Sequence, residues 1–219
     1  MIEKGKLIVI EGIDGSGKDT QIELLEQKIK KEMPDQGILV THEPWDSSKS
    51  PEGKRIRRIL TKNERKIDPE DIGIDATKFQ TLCVADRYIH WVKMILPALK
   101  KGKIVICNRE RMSTFSYGHS YGIPFREMLK WHNLLPDPSL ILYLKISPEC
   151  AIERLKKRSG KTEFFEKLES LKKAAKSYDL ICQKKVLKNI EVLNGEKSPE
   201  LISKDIWQEI QNLLMEARK

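Results

Sequence analysis

The sequence has no apolar stretch near the roughly 18 residues needed to cross a bilayer, so no membrane span is expected. Its N-terminus, Met-Ile-Glu-Lys-Gly-Lys, runs straight into "LIVIEG", leaving no room for the apolar segment and cleavage site of a secretory signal. A cytoplasmic location is the expectation. Cysteine is scarce: Cys83, Cys107, Cys150 and Cys182 stand far apart, form no C-x-x-C pair and lie in apolar contexts typical of free thiols. That spacing argues against both a disulfide framework and a zinc site. Internal repeats and low-complexity tracts are also missing.

What is present suits one sizeable core, since 219 residues are too few for two ordinary domains plus a linker. A single domain over residues 1–219 is expected, soluble and globular at 39% hydrophobic and 33% charged residues. The net charge of +9 favours anionic partners, a class that includes nucleotides, nucleic acids and acidic membranes. The lysines, however, are scattered along helical stretches such as "LESLKKAAKSYDLICQKK", without the aromatic interleaving of a single-strand binding groove. They read as solvated helix faces, with neither nucleic acid nor membrane as partner.

Short β-rich runs alternate with helical patterns. "KLIVIEG", "GILVTHEP", "GKIVICNR", "SLILYLKI" and "NIEVLNG" are the five strand candidates. Between them lie helices from about Lys18 to Met33, around "SPEGKRIRRIL", from about Pro69 to Lys101, and from "SPECAIERLKKR" and "SPELISKDIWQEIQNLLMEARK". Ser50-Pro51, Ser147-Pro148 and Ser198-Pro199 are helix-start signals, a capping hydroxyl followed by a proline suited to the first helical position. The alternation predicts an α/β fold, a five-stranded parallel sheet with helices on both faces. "KKRSGKTEFF", residues 156–165, reads as a mobile insertion because Ser-Gly parts two helical patterns.

The strongest motif is "EGIDGSGKDTQ", in which Gly12-x-x-x-x-Gly17-Lys18 falls between a strand and a helix. Glycines there let backbone N–H groups converge on phosphate oxygens, and the following helix adds its positive end. Gly12, Gly15, Ser16, Gly17, Lys18 and Thr20 are therefore candidates for holding a nucleotide's phosphates, with Lys18 reaching the transferred and bridging ones.

This loop, with "HEP", "LCVADRYIHWVKMILPALKKGKIVICNR", "STFSYG", "PDPSLILYLKISPECAIERLKKR" and "IEVLNGEKSPELISKDIW", resembles the thymidylate kinases in order and spacing over nearly the whole chain. The resemblance implies a P-loop NTPase fold with a short lid, and ATP-dependent phosphorylation of dTMP to dTDP with Mg2+. Carried over by position, Asp14 lies near the sugar and reacting phosphate, Arg87 addresses the thymine ring, and Arg109 grips the monophosphate. Tyr117 lies against the sugar, Ser113 and Thr114 border the base, and Glu43 and Pro44 form a bend beside the monophosphate. The lid is residues 156–165, and Arg154, Arg158 and Lys161 are candidates for the transition-state cation, Arg158 first. A homodimer formed by helices is implied as well.

Three positions depart from the pattern. Asp19 follows Lys18 where a magnesium-binding Ser or Thr is usual. Asn108 stands where an aspartate precedes the strand-end arginine, and Cys83 where a phenylalanine stacks on the base. Phe79 or Trp45 could supply a ring instead. The first two departures suggest a swap: a carboxylate moved from the strand end to the phosphate loop keeps an acid, Asp19, beside the metal. The alternatives are a solvent-facing or helix-capping Asp19 with Thr20 or water serving the metal. For function they are a kinase of another nucleoside monophosphate or of a deoxynucleoside, or a non-catalytic nucleotide-binding relative.

Overall fold

Leu7, Val9, Val105 and Ile141 point to one side of the sheet and Ile8, Ile10, Ile106 and Leu142 to the other, and both sets are buried. Strands apolar on both faces must be covered on both, which is what near-continuous runs such as "LIVI" encode. The computed structural model describes residues 5–45, 50–63, 75–159 and 165–216. Its strands are β1 (Lys6–Glu11), β2 (Ile38–His42), β3 (Ile104–Asn108), β4 (Leu140–Lys145) and β5 (Ile190–Asn194). They pair in parallel in the order β2-β3-β1-β4-β5. β1 is central, with Ile8 opposite Ile106 on one side and Leu140 on the other.

One face is covered by α1 (Lys18–Glu32) and α9 (Pro199–Glu216), which add Ile22, Leu25, Ile29, Ile202, Ile206 and Ile210 to the core there. The thicker face carries α3 (Ala76–His90), α5 (Arg111–Ser120), α7 (Pro148–Ser159) and α8 (Phe165–Gln183), packed around Trp91, Phe115, Tyr143 and Tyr178. α2 (Pro51–Asn63) lies against α3, and α6 (Phe125–Trp131) against α5. The serine caps form as the sequence indicates: Gly53 N donates to Ser50 Oγ at 3.0 Å, Cys150 N to Ser147 Oγ at 3.3 Å and Leu201 N to Ser198 Oγ at 3.4 Å.

Two boundaries differ from expectation. Asp75 is extended, and its carboxylate accepts from Lys78 N at 2.8 Å, so it caps a helix that starts at Ala76 rather than near Pro69; residues 69–74 lie outside the described residues. That helix widens into a π-helical turn at Trp91–Ile95 before α4 (Leu96–Lys100), just upstream of Pro97, which has no amide to donate backwards. The expected lid begins inside a helix, since 156–159 complete α7 and Phe165 opens α8; residues 160–164, and with them Lys161, lie outside the described residues. All four cysteines are free thiols. Among the described residues no helix is long and apolar enough to cross a membrane.

Candidate active site

The carboxyl ends of β1, β2 and β3 open onto one cleft, the place where parallel α/β sheets hold ligands. Gly12 follows β1 with φ +147°, and a Cβ there would sit 2.8 Å from Leu144 O and 2.6 Å from Ser16 Oγ, so only glycine fits. Gly17 (φ +91°) caps α1 with no side-chain bond to its first amides, which leaves that positive end for an anion. Lys18 Nζ donates to Gly12 O (3.1 Å), Ile13 O (3.0 Å) and Ser16 Oγ (3.5 Å). Burial, reinforced by nearby Arg109, pulls its pKa down to about 7 against the attraction of Asp14, Glu11 and Asp19.

β3 delivers Arg109 in a left-handed backbone conformation (φ +67°), a strained state for a side chain with a Cβ. The strain aims the guanidinium back over the loop. Its Nη1 donates to Gly12 O and Ser113 Oγ, both at 3.0 Å, and its Nη2 to Asp14 Oδ1 at 2.6 Å. The ring of Tyr117 lies 5.7 Å beneath it. Behind Arg109 sits Glu11, fully buried, a residue the sequence reading passed over. It accepts from Glu110 N (2.7 Å), Ser113 N (3.1 Å), Ser113 Oγ (2.7 Å) and Tyr178 OH (2.9 Å). Burial raises its pKa, and Arg109 and these donors oppose the shift. An acid ending an otherwise apolar strand was the available signal.

A second network lies under α3. Arg87, only 3% exposed, donates Nε to Glu43 Oε2 (2.7 Å) and Nη1 to Thr114 Oγ1 (3.0 Å) and His132 Nε2 (2.7 Å). His132 Nδ1 donates to Met128 O at 2.7 Å, leaving Nε2 as the acceptor; burial and then Arg87 push its pKa down to about 3, so the ring is neutral. Arg87 Nη2 also meets Glu43 at 2.6 Å, and Arg87 Nε lies 3.5 Å from Glu110, which pairs in turn with Arg111 at 2.7 Å. The residue expected against a base is thus embedded in a buried charge chain. Pro44 follows Glu43 across a cis peptide.

Asp86, beside Arg87 in "ADR", accepts from Trp45 N (2.7 Å) and Ser50 Oγ (2.6 Å), tying the end of β2 and the start of α2 to α3. Trp45 stacks on His90 at 5.4 Å and is 4% exposed, so it is committed to the core rather than offered to a base. Phe79, one turn before Cys83, is half-buried on α3. Glu43, His90 and Cys107 place potential ligand atoms within 4.8 Å of one another. Each has a protein partner: His90 is shared by Thr41 (2.8 Å) and Glu43 (3.3 Å), and the Cys107 thiol donates to Arg109 O (3.0 Å).

The cleft has a volume of about 840 Å³. It brings together Asp14, Gly15, Gly17, Lys18, Asp19, Thr20, Glu43 and Arg109 with Arg154 and Arg158 of α7. Arg57 of α2 also lines it, a cation that sequence reading had no motif to find. Gly12, Ser16, Pro44, Arg87, Ser113, Thr114 and Tyr117 do not line it. Asp19 and Asn108 touch directly: Asn108 Nδ2 donates to Asp19 Oδ1 at 2.6 Å.

The sequence profile described as Thymidylate kinase matches residues 10–206. Among curated proteins, the chain is 36% identical over 205 residues to a probable thymidylate kinase of Pyrococcus horikoshii, covering 93% of this chain and 94% of that one. It is 34% identical over 203 residues to a probable thymidylate kinase of Pyrococcus abyssi, at 93% and 94% coverage. To the thymidylate kinase of Desulfotalea psychrophila it is 32% identical over 211 residues, at 96% of both chains.

Proposed function

The chain belongs to the thymidylate kinase family, and from that premise we propose that its cleft transfers the γ-phosphoryl group of ATP to the phosphate of dTMP, yielding dTDP and ADP. One observation carries the geometry: Lys18 Nζ and Arg109 Nη1 both donate to the same Gly12 carbonyl, at 3.1 and 3.0 Å. The amine on the donor side and the guanidinium on the acceptor side therefore meet at one point. That is where a phosphoryl group in flight between two anions needs positive charge. No nucleophilic side chain is required; positioning and charge stabilisation do the chemistry.

Arg109 holds the acceptor phosphate in line, with Asp14 and Ser113 steering its guanidinium and Glu11 and Tyr178 fixing Ser113. Tyr117 faces the sugar, and Arg87 and Thr114 form the floor of the base side, with Glu43 and Pro44 at the bend beside it. Gly15, Ser16, Gly17 and Thr20 cradle the ATP phosphates. Arg158 and Arg154 supply the donor-side cation from α7; a Cβ at Gly17 would lie 4.0 Å from Arg154 Nη1. Closure of the lid at 156–165, Lys161 included, excludes water as a competing acceptor.

Magnesium belongs to the same reading. Asn108 Oδ1 is buried without a partner among the described residues, and Asp19 offers a carboxylate in the cleft, an oxygen set that fits a hard cation. When bound, the ion supplies charge neutralisation on the β- and γ-phosphate oxygens. One domain with a lid, a homodimer and a cytoplasmic location complete the proposal. The family resemblance supports the first two, and the lack of a long apolar helix among the described residues agrees with the third.

A coupled ADP-release assay with dTMP, dUMP, dCMP, dGMP and thymidine tests the assignment. Turnover should be fastest with dTMP. Another acceptor in the lead would show that Cys83, in place of a stacking ring, has changed the base specificity.

A second measurement follows from Lys18. With its pKa near 7 in the free site, the amine is mostly neutral at pH 8, whereas a triphosphate beside it favours the ammonium. Mg-ATP binding at pH 8 to 9 should take up close to one proton, read by calorimetry in two buffers of different ionisation enthalpy. Lys18→Met should abolish the uptake.

A further inference from the structure

Asp19 occupies the second position of α1, in the first turn and on the cleft wall. The positive end of a helix stabilises a carboxylate there, yet the same end is where a triphosphate must settle. Two anions are thus directed to one site. Left to itself, an exposed aspartate would swing away. Asn108 prevents this: its Nδ2 holds Asp19 Oδ1 at 2.6 Å. Asn108 is itself fixed at the end of β3, in register with Ile10 and His42, with its carbonyl accepting from Glu43 N at 3.0 Å. The bond occupies one carboxylate oxygen.

We propose that this pair makes nucleotide binding cation-gated: Asp19 rejects the metal-free triphosphate and accepts it only as a divalent metal complex, and Asn108 is the positioning residue that keeps the carboxylate in place. The proposal rests on the kinase reading and specifies how its donor site selects the form of ATP. A neutral hydroxyl after the lysine would ligate the ion without repelling bare ATP; a fixed carboxylate does both. At close range in a partly desolvated cleft, one added like charge weakens binding by about tenfold or more.

The test is ATP binding by the full chain at low ionic strength, titrated with excess Mg2+ and again with EDTA. Wild type should bind metal-free ATP at least about 100-fold more weakly than Mg-ATP. Asp19→Asn, which keeps the side-chain shape, and Asp19→Ser should each bind metal-free ATP about tenfold or more tighter than wild type. Asn108→Ala should shift it in the same direction by less. The double variant Asp19→Ser, Asn108→Asp, which returns the acid to the strand end, should keep tight Mg-ATP binding. Metal-free affinity of Asp19→Asn within twofold of wild type would overturn this proposal alone. Failure of wild type to bind ATP even with Mg2+ would overturn the kinase reading with it.

Discussion

Replacing Arg109 with alanine is expected to lower kcat/KM for dTMP by about 10²–10³, equivalent to about 3–4 kcal/mol of transition-state stabilisation. The size follows from how the residue is held. Its backbone adopts a left-handed conformation that costs about 1 kcal/mol or more for a residue with a Cβ. Gly12 O, Ser113 and Asp14 all fix the planar fork. Strain kept in place by three partners makes sense if the fork must meet a second phosphate in one orientation. Arg109→Lys keeps the charge and loses the fork, so it should recover only part of the activity. Steady-state kinetics over a dTMP series decides the matter, and a loss below about tenfold for the alanine variant would remove Arg109 from the transition state.

The largest expected effect on stability comes from Arg87→Met. Arg87 is buried between Glu43 and Glu110, and deleting one partner of a buried charge pair costs about 3–5 kcal/mol because the others stay behind uncompensated. In a chain of this length that lowers Tm by about 10 °C. The pH dependence has a definite sign. Although burial disfavours the charged form, Arg111 and Arg87 hold the Glu110 carboxyl down at about 2. Its contribution is therefore present above the ordinary glutamate range and lost as pH falls from about 4.5 towards 2. Without Arg87 the folded Glu110 carboxyl moves back towards its ordinary value, so that loss should be smaller and complete at a higher pH. Thermal melts of wild type and variant across pH 3 to 7 would show the gap between the two curves narrowing as pH falls below about 4.5. Parallel curves would mean that Arg111 carries Glu110 unaided.

The framework was readable because its signals are local. Strand runs, proline-led caps and the phosphate loop each depend on residues within about a dozen positions, and the structure places all five strands where the pattern put them. The helix expected from about Pro69 starts at Ala76, because the Asp75 carboxylate caps its first turn. The site was legible only where motif and chemistry coincide, as at Lys18 and Arg109. Tyr178, His132 and Arg57 reach the site from three distant segments, and nothing in a linear string marks Tyr178 as the hydroxyl that meets Glu11 across 167 positions. Asp19 and Asn108 show the converse: two local anomalies, 89 positions apart, prove to be one contact.

The place of β1 at the centre of the sheet has a consequence for synthesis. It bears the phosphate loop and is synthesised well before its pairing partners, residues 104–108 and 140–143. Until those are made, four consecutive aliphatic side chains and both hydrogen-bonding edges of the strand stay open. The nascent chain should therefore depend on chaperone protection through most of translation, and assembly of the nucleotide cradle is necessarily a late event.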